Sequence, residues 1–311
     1  MPSSPASPLA PRAGETLLTG WGRTAPSTAT VERVTSVADV QEAVAKATSR
    51  GLLARGLGRS YGDAAQSGGA TVLDLAALAQ IDLDREAGTV TVGAGVSLDA
   101  LLKVIVPQGF FVPVTPGTRM VTVGGAIAAD VHGKNHHVEG TFGSHVSALT
   151  LIDGRGVEHR LGPEQEPEAF WATVGGMGLT GVMTEATFDL IPISSSLVSV
   201  DTDRTVDLDD LMSRMLTGDD AYRYSVAWVD SAHPSGRGVL TRGDHATADA
   251  LPPKLRSEPL AYHPKVMATV PDIMPSGLVN PLTMRAFNEA WFRKAPKHRL
   301  AEPQQIATFF H

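Results

Sequence analysis

Ala54-Arg55-Gly56-Leu57-Gly58-Arg59-Ser60-Tyr61-Gly62-Asp63-Ala64 follows a short apolar run that begins at Leu52, and the fold turns on how this stretch is read. Glycines at 56, 58 and 62 leave backbone N–H groups clear of side chains and Ser60 adds a hydroxyl, the composition of a nest for pyrophosphate. A plain structural turn accounts for the same glycines. Gly58, Ser60 and Gly62 also satisfy the G-x-S-x-G of a hydrolase elbow with Ser60 as nucleophile. Gly68 and Gly69 then follow too soon for the long helix an elbow requires. A dinucleotide fingerprint opening at Gly56 and Gly58 needs glycine at 61, where Tyr61 stands, so a plain Rossmann loop is not indicated.

Around this loop the pattern predicts strand, helix, strand. Val31, Val34 and Val37 lie in a β-rich stretch, residues 38–50 carry Val40, Ala43, Val44 and Ala47 at helical spacing with Gly51 as C-cap, and residues 52–56 return as a strand. Further strands are predicted at 70–75 and 89–92, and a helix capped by Ser97 with Leu98, Leu101, Leu102 and Ile105 on one face. Residues 148–161 read as a hairpin around Asp153-Gly154-Arg155-Gly156, residues 168–174 as a short helix and 182–193 as a strand. Beyond 195 glycine thins out. There a helix at 207–216, an aromatic strand at 222–228 and Pro-rich extended chain from 251 are predicted, with a boundary between 15–195 and 196–311.

A second informative stretch joins Gly117 to Thr122-Val123-Gly124-Gly125 and Ala129-Asp130-Val131-His132-Gly133-Lys134-Asn135-His136-His137. Small residues at 124–129 predict a helix start whose N–H groups face an anionic ligand. His132 and His136 at i and i+4 also allow a metal reading with His137 or His145, weakened by Gly133 and by the absence of the Glu of a hydrolytic zinc helix. Gly176, Gly178 and Gly181 match G-x-G-x-x-G in the reverse structural order, after a helix and before a strand. They are read instead as glycines that let backbone approach a cofactor closely. Trp291, Phe292, Arg293, Lys294, Lys297, His298 and Arg299 form a basic and aromatic patch suited to a lipid phosphate or an anionic surface, with a solvated loop as its plainer reading.

Composition narrows the classes. Across 311 residues, 26 basic and 33 acidic side chains give a net charge of −7, which argues against nucleic acid as main partner. No cysteine is present, so disulfide scaffolds, zinc ribbons and thiol chemistry are excluded and any redox work needs a cofactor. Residues 1–14 read as a disordered tail and not as a signal peptide, and no apolar run reaches membrane-spanning length.

The loop at 54–64, the segment 117–137 and Phe170-Trp171-Ala172-Thr173-Val174-Gly175-Gly176-Met177-Gly178-Leu179-Thr180-Gly181 together resemble the vanillyl-alcohol-oxidase-type (PCMH-type) FAD-binding oxidoreductases. Within them the order of motifs is similar to the branch acting on polyprenyl-phosphoryl ribose. The resemblance implies an α+β fold: a two-subdomain FAD-binding domain, then an antiparallel-sheet substrate domain that is incomplete at Phe309-Phe310-His311. It implies pyrophosphate on residues 54–64, ribityl and ring contacts from Gly117, Thr122, Val123, Gly124, Gly125, Ala129, Asp130, Val131 and His132, and a backbone contact from Met183. His132, Lys134 and Tyr61 would serve catalysis and Trp228 would shape the substrate pocket. Tyr61 stands where several relatives attach flavin through histidine, which implies non-covalent FAD. The family branch has tyrosine at Phe310 and serine at Val226, so those hydroxyls are lost here.

The implied reaction is oxidation of the ribose 2′-hydroxyl to a keto sugar in cell-wall arabinan precursor synthesis, with a separate NADH-dependent short-chain reductase consuming the product. Alternatives are another sugar or alditol oxidase, a Ser60 hydrolase, a His132/His136 metal protein and an inactive FAD-binding fragment. The resemblance places the chain in the cytoplasm or at a membrane or periplasmic face, with peripheral membrane association.

Overall fold

The computed structural model describes residues 11–264 and 277–310, so the first ten positions of the expected tail lie outside the described residues. In chain order the elements begin with β1 (Glu15–Leu18), β2 (Ser27–Arg33), α1 (Val37–Ala45), β3 (Leu52–Arg55), β4 (Thr71–Asp74), β5 (Ile81–Asp84), β6 (Thr89–Gly93) and α2 (Leu98–Ile105). They continue with β7 (Phe110–Phe111), α3 (Val123–Ala128), α4 (His136–Glu139), β8 (Val146–Ile152), β9 (Glu158–Leu161), α5 (Pro167–Thr173), β10 (Val182–Asp189) and β11 (Ile191–Pro192). The remainder is β12 (Leu197–Thr205), α6 (Leu208–Gly218), β13 (Tyr224–Val229), β14 (Gly238–His245), α7 (Pro281–Lys294), β15 (His298–Gln305) and α8 (Ile306–Phe310). Helix and sheet are mixed throughout, and among the described residues no helix is long and apolar enough to cross a membrane.

The chain divides into two compact units. The first holds residues 1–105, 110–132 and 141–191. One of its sheets runs β1-β2-β4-β3, with β2 and β3 both parallel to β4 and α1 carrying the chain between them. The capping box of α1 explains its start: Ser36 accepts from the Asp39 amide and Asp39 returns a bond to the Ser36 amide. The helix stops at Lys46, short of the predicted Arg50. Thr48 and Ser49 are poor helix formers, and Gly51 (φ +79°) closes a separate turn onto the Thr48 carbonyl. The other large sheet, β5-β6-β10-β8-β9, is antiparallel, and Val90, Val92, Phe188, Leu149 and Ile152 from it are buried. Helix α2 buries its predicted row of Leu98, Leu101, Leu102 and Ile105.

The second unit comprises residues 106–109, 133–140 and 192–311. Its antiparallel sheet has the order β13-β14-β12-β15. The aromatic strand was foreseen, but three of the four strands were not. β12 reads LVSVDTDRT, and its polar half masks a strand in which Thr202, Asp203 and Thr205 are buried along with Leu197, Val198 and Val200. The extended chain predicted from 251 is also corrected, because residues 281–294 form α7. Asn280 caps it by accepting from the Leu282 and Thr283 amides, with Pro281 at the first helical position. The basic and aromatic patch therefore sits on a helix and the start of β15, not on a solvated loop.

Candidate functional site

Between β3 and β4 the chain makes the glycine-rich loop, and its amides are its main feature. Among the described residues no acceptor takes a hydrogen bond from any backbone N–H of residues 56–65, whereas the carbonyls of Ser60, Asp63 and Ala65 are all used. Such a run of unclaimed donors, partly shielded, is what a phosphate-bearing ligand completes. The loop is braced from behind. Arg55 donates through Nη1 to the Ala65 carbonyl at 2.6 Å and through Nη2 to the Thr19 carbonyl at 2.7 Å, with burial lowering its pKa. Gly58 (φ +62°) has no side chain because the Arg55 guanidinium fills that space. The Trp21 amide donates to the Ser60 carbonyl at 2.7 Å, and the Trp21 ring meets Tyr61 edge-on at 5.4 Å. Tyr61 itself is 78% exposed. Trp21, the segment that straps the loop, went unnoticed in the sequence because one aromatic between two glycines carries no periodic signal.

The second motif lies against the first. A side chain at Gly56 would overlap that of Thr122, so 54–64 and 117–125 are brought together from distant parts of the chain. The predicted anion site at the start of α3 needs correction, however. The amides there are spent inside the protein: Val123 donates to the Val96 carbonyl at 2.8 Å, Gly124 to Ala94 at 2.9 Å and Gly125 to Thr122 Oγ1 at 3.2 Å. Gly124 is small because a Cβ there would stand 3.0 Å from that of Ala94. After α3, Ala129 is its C-cap, Asp130 takes φ +41° and binds the Gly143 amide through Oδ1 at 2.9 Å, and Val131 donates to Ala126. His132 pairs with Thr141 in an isolated bridge and leaves its side chain exposed. Gly117 faces open space, and Met183 is buried in β10 opposite Leu151.

The Gly176 cluster serves packing. A Cβ at Gly176 would run into the Ala172 carbonyl, while the Gly175 and Met177 amides donate to the Ile127 and Ala128 carbonyls at the end of α3.

In the second unit Lys134 places Nζ 5.7 Å from the centre of the Phe309 ring, and burial lowers its pKa. Its carbonyl accepts from the Ser225 amide at 2.8 Å. Trp228 is half-buried in β13, on the same face as Tyr224 and Val226 by strand alternation. Phe310 packs edge-on against Tyr224 at 4.8 Å. Tyr224 Oη in turn lies 3.0 Å from His245 Nε2, a buried pair that no motif announced. The histidines beside Lys134 fasten their own loop: His136 Nδ1 meets the Gly140 carbonyl at 3.0 Å and His137 Nε2 the Tyr222 carbonyl at 3.1 Å. Among the described residues no group of three or more His, Cys, Asp or Glu is placed to hold a metal ion.

Residues 28–162 match the FAD binding domain family. Taken with the relatives below, this shows that the chain belongs to the FAD-dependent oxidoreductases with a PCMH-type FAD-binding domain. It is 45% identical over 303 residues to the decaprenylphosphoryl-β-D-ribose oxidase of Mycolicibacterium smegmatis, covering 94% of this chain and 66% of that protein. It is 42% identical over 224 residues to an uncharacterised protein in the mprA 5′ region of Streptomyces coelicolor, covering 68% of this chain and 60% of the other. An alditol oxidase of a Streptomyces species is 30% identical over 180 residues, 57% of this chain and 42% of that enzyme. The chain thus spans no more than about two thirds of the length of these curated relatives.

Proposed function

We propose that this chain carries out the FAD-dependent oxidation of the 2′-hydroxyl of a polyprenyl-phosphoryl ribose to the 2′-keto sugar, a step toward cell-wall arabinan precursors. The observation that carries the cofactor half of this reading is the unclaimed run of amides at residues 56–65, held open by Arg55 and set against Thr122. The substrate half rests on the similarity to the Mycolicibacterium smegmatis oxidase. In this reading residues 15–195 are a two-subdomain FAD-binding domain and 196–311 belong to an antiparallel-sheet substrate domain. The keto product would pass to a separate NADH-dependent short-chain reductase.

Bound FAD supplies a hydride acceptor for the alcohol carbon. The loop amides and the Ser60 hydroxyl hold its pyrophosphate, while Gly117, Thr122 to Gly125, Ala129 to His132 and Met183 line the rest of it. Tyr61 packs at the ring and Trp228 shapes the sugar pocket. The hydroxyl proton must leave to a base, and His132 and Lys134 face the sugar in this reading, with His132 serving as base or orienting the substrate. Burial lowers the pKa of Lys134, so its ammonium gives up a proton more readily than that of an exposed lysine. A Ser60 nucleophile lacks support, since no histidine hydrogen-bonds its hydroxyl among the described residues.

Two measurements test the reading. Purified protein should show a flavin spectrum, and anaerobic addition of a short-chain polyprenyl-phosphoryl ribose should bleach it. Bleaching by a simple alditol in its place would favour the chemistry named for the Streptomyces relative. His132→Ala should lose turnover and keep its flavin; normal turnover would remove His132 from catalysis.

A further inference from the structure

Helix α7 divides its surface in an unusual way. The stripe that docks it is polar: Asn288, 9% exposed, donates to Asp230 Oδ1 at 2.7 Å, and Glu289 accepts from Arg237 Nη2 at 2.6 Å. Phe292 lies beneath the Arg237 and Arg204 guanidinium groups, 4.3 and 5.2 Å from its ring centre. The stripe beside it is apolar and open. Phe287 and Trp291 are 56% and 46% exposed and stack at 15° and 6.1 Å, with Met284 one turn before Phe287 on the same row. A surface helix ordinarily buries its apolar row and shows water its polar one. Here ion pairs and cation–π contacts fasten the helix, and the apolar row is left outside.

The charges around that row are equally selective. The chain as a whole carries −7, yet residues 281–299 hold Arg285, Arg293, Lys294, Lys297 and Arg299 against Glu289 alone. Arg293 and Arg299 are engaged by Glu289 and Glu302. Arg285 lies on the docked side with Asn288 and Phe292, whereas Lys297 has no ion-pair partner among the described residues and Lys294 Nζ stands 5.8 Å from the Trp291 ring centre. We infer that α7 is an interfacial anchor that seats Phe287 and Trp291 in the headgroup region of an anionic phospholipid bilayer, with Lys294 and Lys297 against lipid phosphates. The charge decides the occupant: a second copy laid on the same row would bring two cationic rims together, whereas an anionic bilayer answers both the aromatic row and its rim. The inference does not depend on the flavin reading, although a lipid-linked substrate would give the anchor a purpose.

The test is co-sedimentation with vesicles of phosphatidylcholine alone and of phosphatidylcholine mixed with phosphatidylglycerol. The chain should bind the anionic vesicles, release them as salt rises, and have its tryptophan emission quenched by brominated acyl chains. Trp291→Phe should keep the binding and lose most of the quenching. Lys294→Glu with Lys297→Glu, both exposed and outside the cofactor loop, should weaken binding by about tenfold or more with unchanged far-ultraviolet circular dichroism. Equal binding to neutral vesicles, absence of binding, or a Trp291 already closed to acrylamide before vesicles are added would each overturn the proposal. So would a dimer that Phe287→Ser dissociates.

Discussion

Tyr224 Oη and His245 Nε2 stand 3.0 Å apart inside the second unit, with Phe310 packed on the tyrosine ring. Burial holds the phenol above its ordinary range and pushes the imidazole down to about 4, with Arg223 adding to the second shift. His245 is therefore neutral in the folded chain above about pH 4. Its Nε2 meets the Tyr224 hydroxyl without needing a charge, which helps a histidine to be tolerated beside Tyr224 and Phe310.

Stability should consequently fall as acid is added, well before most carboxylates titrate. Above pH 6.5 both folded and unfolded His245 are neutral. Between 6.5 and about 4 only the unfolded chain takes up the proton, so unfolding gains about 3 kcal/mol across that window, and below it the difference is constant. Urea unfolding at a series of pH values should show this slope, and His245→Gln should flatten it between pH 6.5 and 5. An unchanged slope in that variant would mean that the imidazole is not buried as described.

Arg55 should govern cofactor affinity through its hold on the loop. Its bond to the Ala65 carbonyl ties the two ends of the loop together and its bond to Thr19 fastens them to the segment after β1, and a charged hydrogen bond of this kind contributes about 1.5 to 3 kcal/mol. Arg55→Ala is expected to weaken FAD binding by about tenfold or more, since a loop no longer held open must be ordered by the ligand. Arg55→Lys, which can keep one of the two bonds, should recover part of the loss. Titration of the apoprotein by flavin fluorescence measures both.

Two glycines of the same site should behave oppositely. Gly56→Ala forces a methyl group into the Thr122 side chain, so the contact between the two motifs must open, and a loss of about 1 to 3 kcal/mol together with bound flavin is expected. Gly117→Ala meets nothing within 4 Å and should leave the melting temperature where it was. Equal effects at the two positions would refute the placement of the loop.

Why these residues could be read from the sequence, and others not, has a physical basis. The loop and the 117–137 segment are contiguous, and glycine there marks a backbone requirement that composition exposes directly. The row of α2 was legible for a related reason, because four apolar residues at helical spacing bury one face. The amides of α3 misled because a helix start looks the same whether its donors meet a ligand or the neighbouring Ala94 and Val96 carbonyls, and only the fold decides. β12 and α7 were invisible for a different reason. One is stabilised by partners on both sides, β14 and β15, and the other docks through Asp230 and Arg237, so neither shows its burial as a periodic apolar pattern.

Flavin attachment is the remaining prediction. Residues 54–66 contain no histidine, and Tyr61, the aromatic side chain at the loop tip, is exposed and leans on Trp21 through a ring edge. Nothing in that arrangement offers an imidazole nitrogen to the flavin, so the cofactor should be held by backbone donors and packing alone. Acid precipitation of the flavin-loaded protein is then expected to leave the yellow colour in the supernatant, and Tyr61→Phe should not change where it goes. Colour retained in the pellet would require a covalent bond from another residue and would displace the loop from its proposed role as the principal hold on FAD.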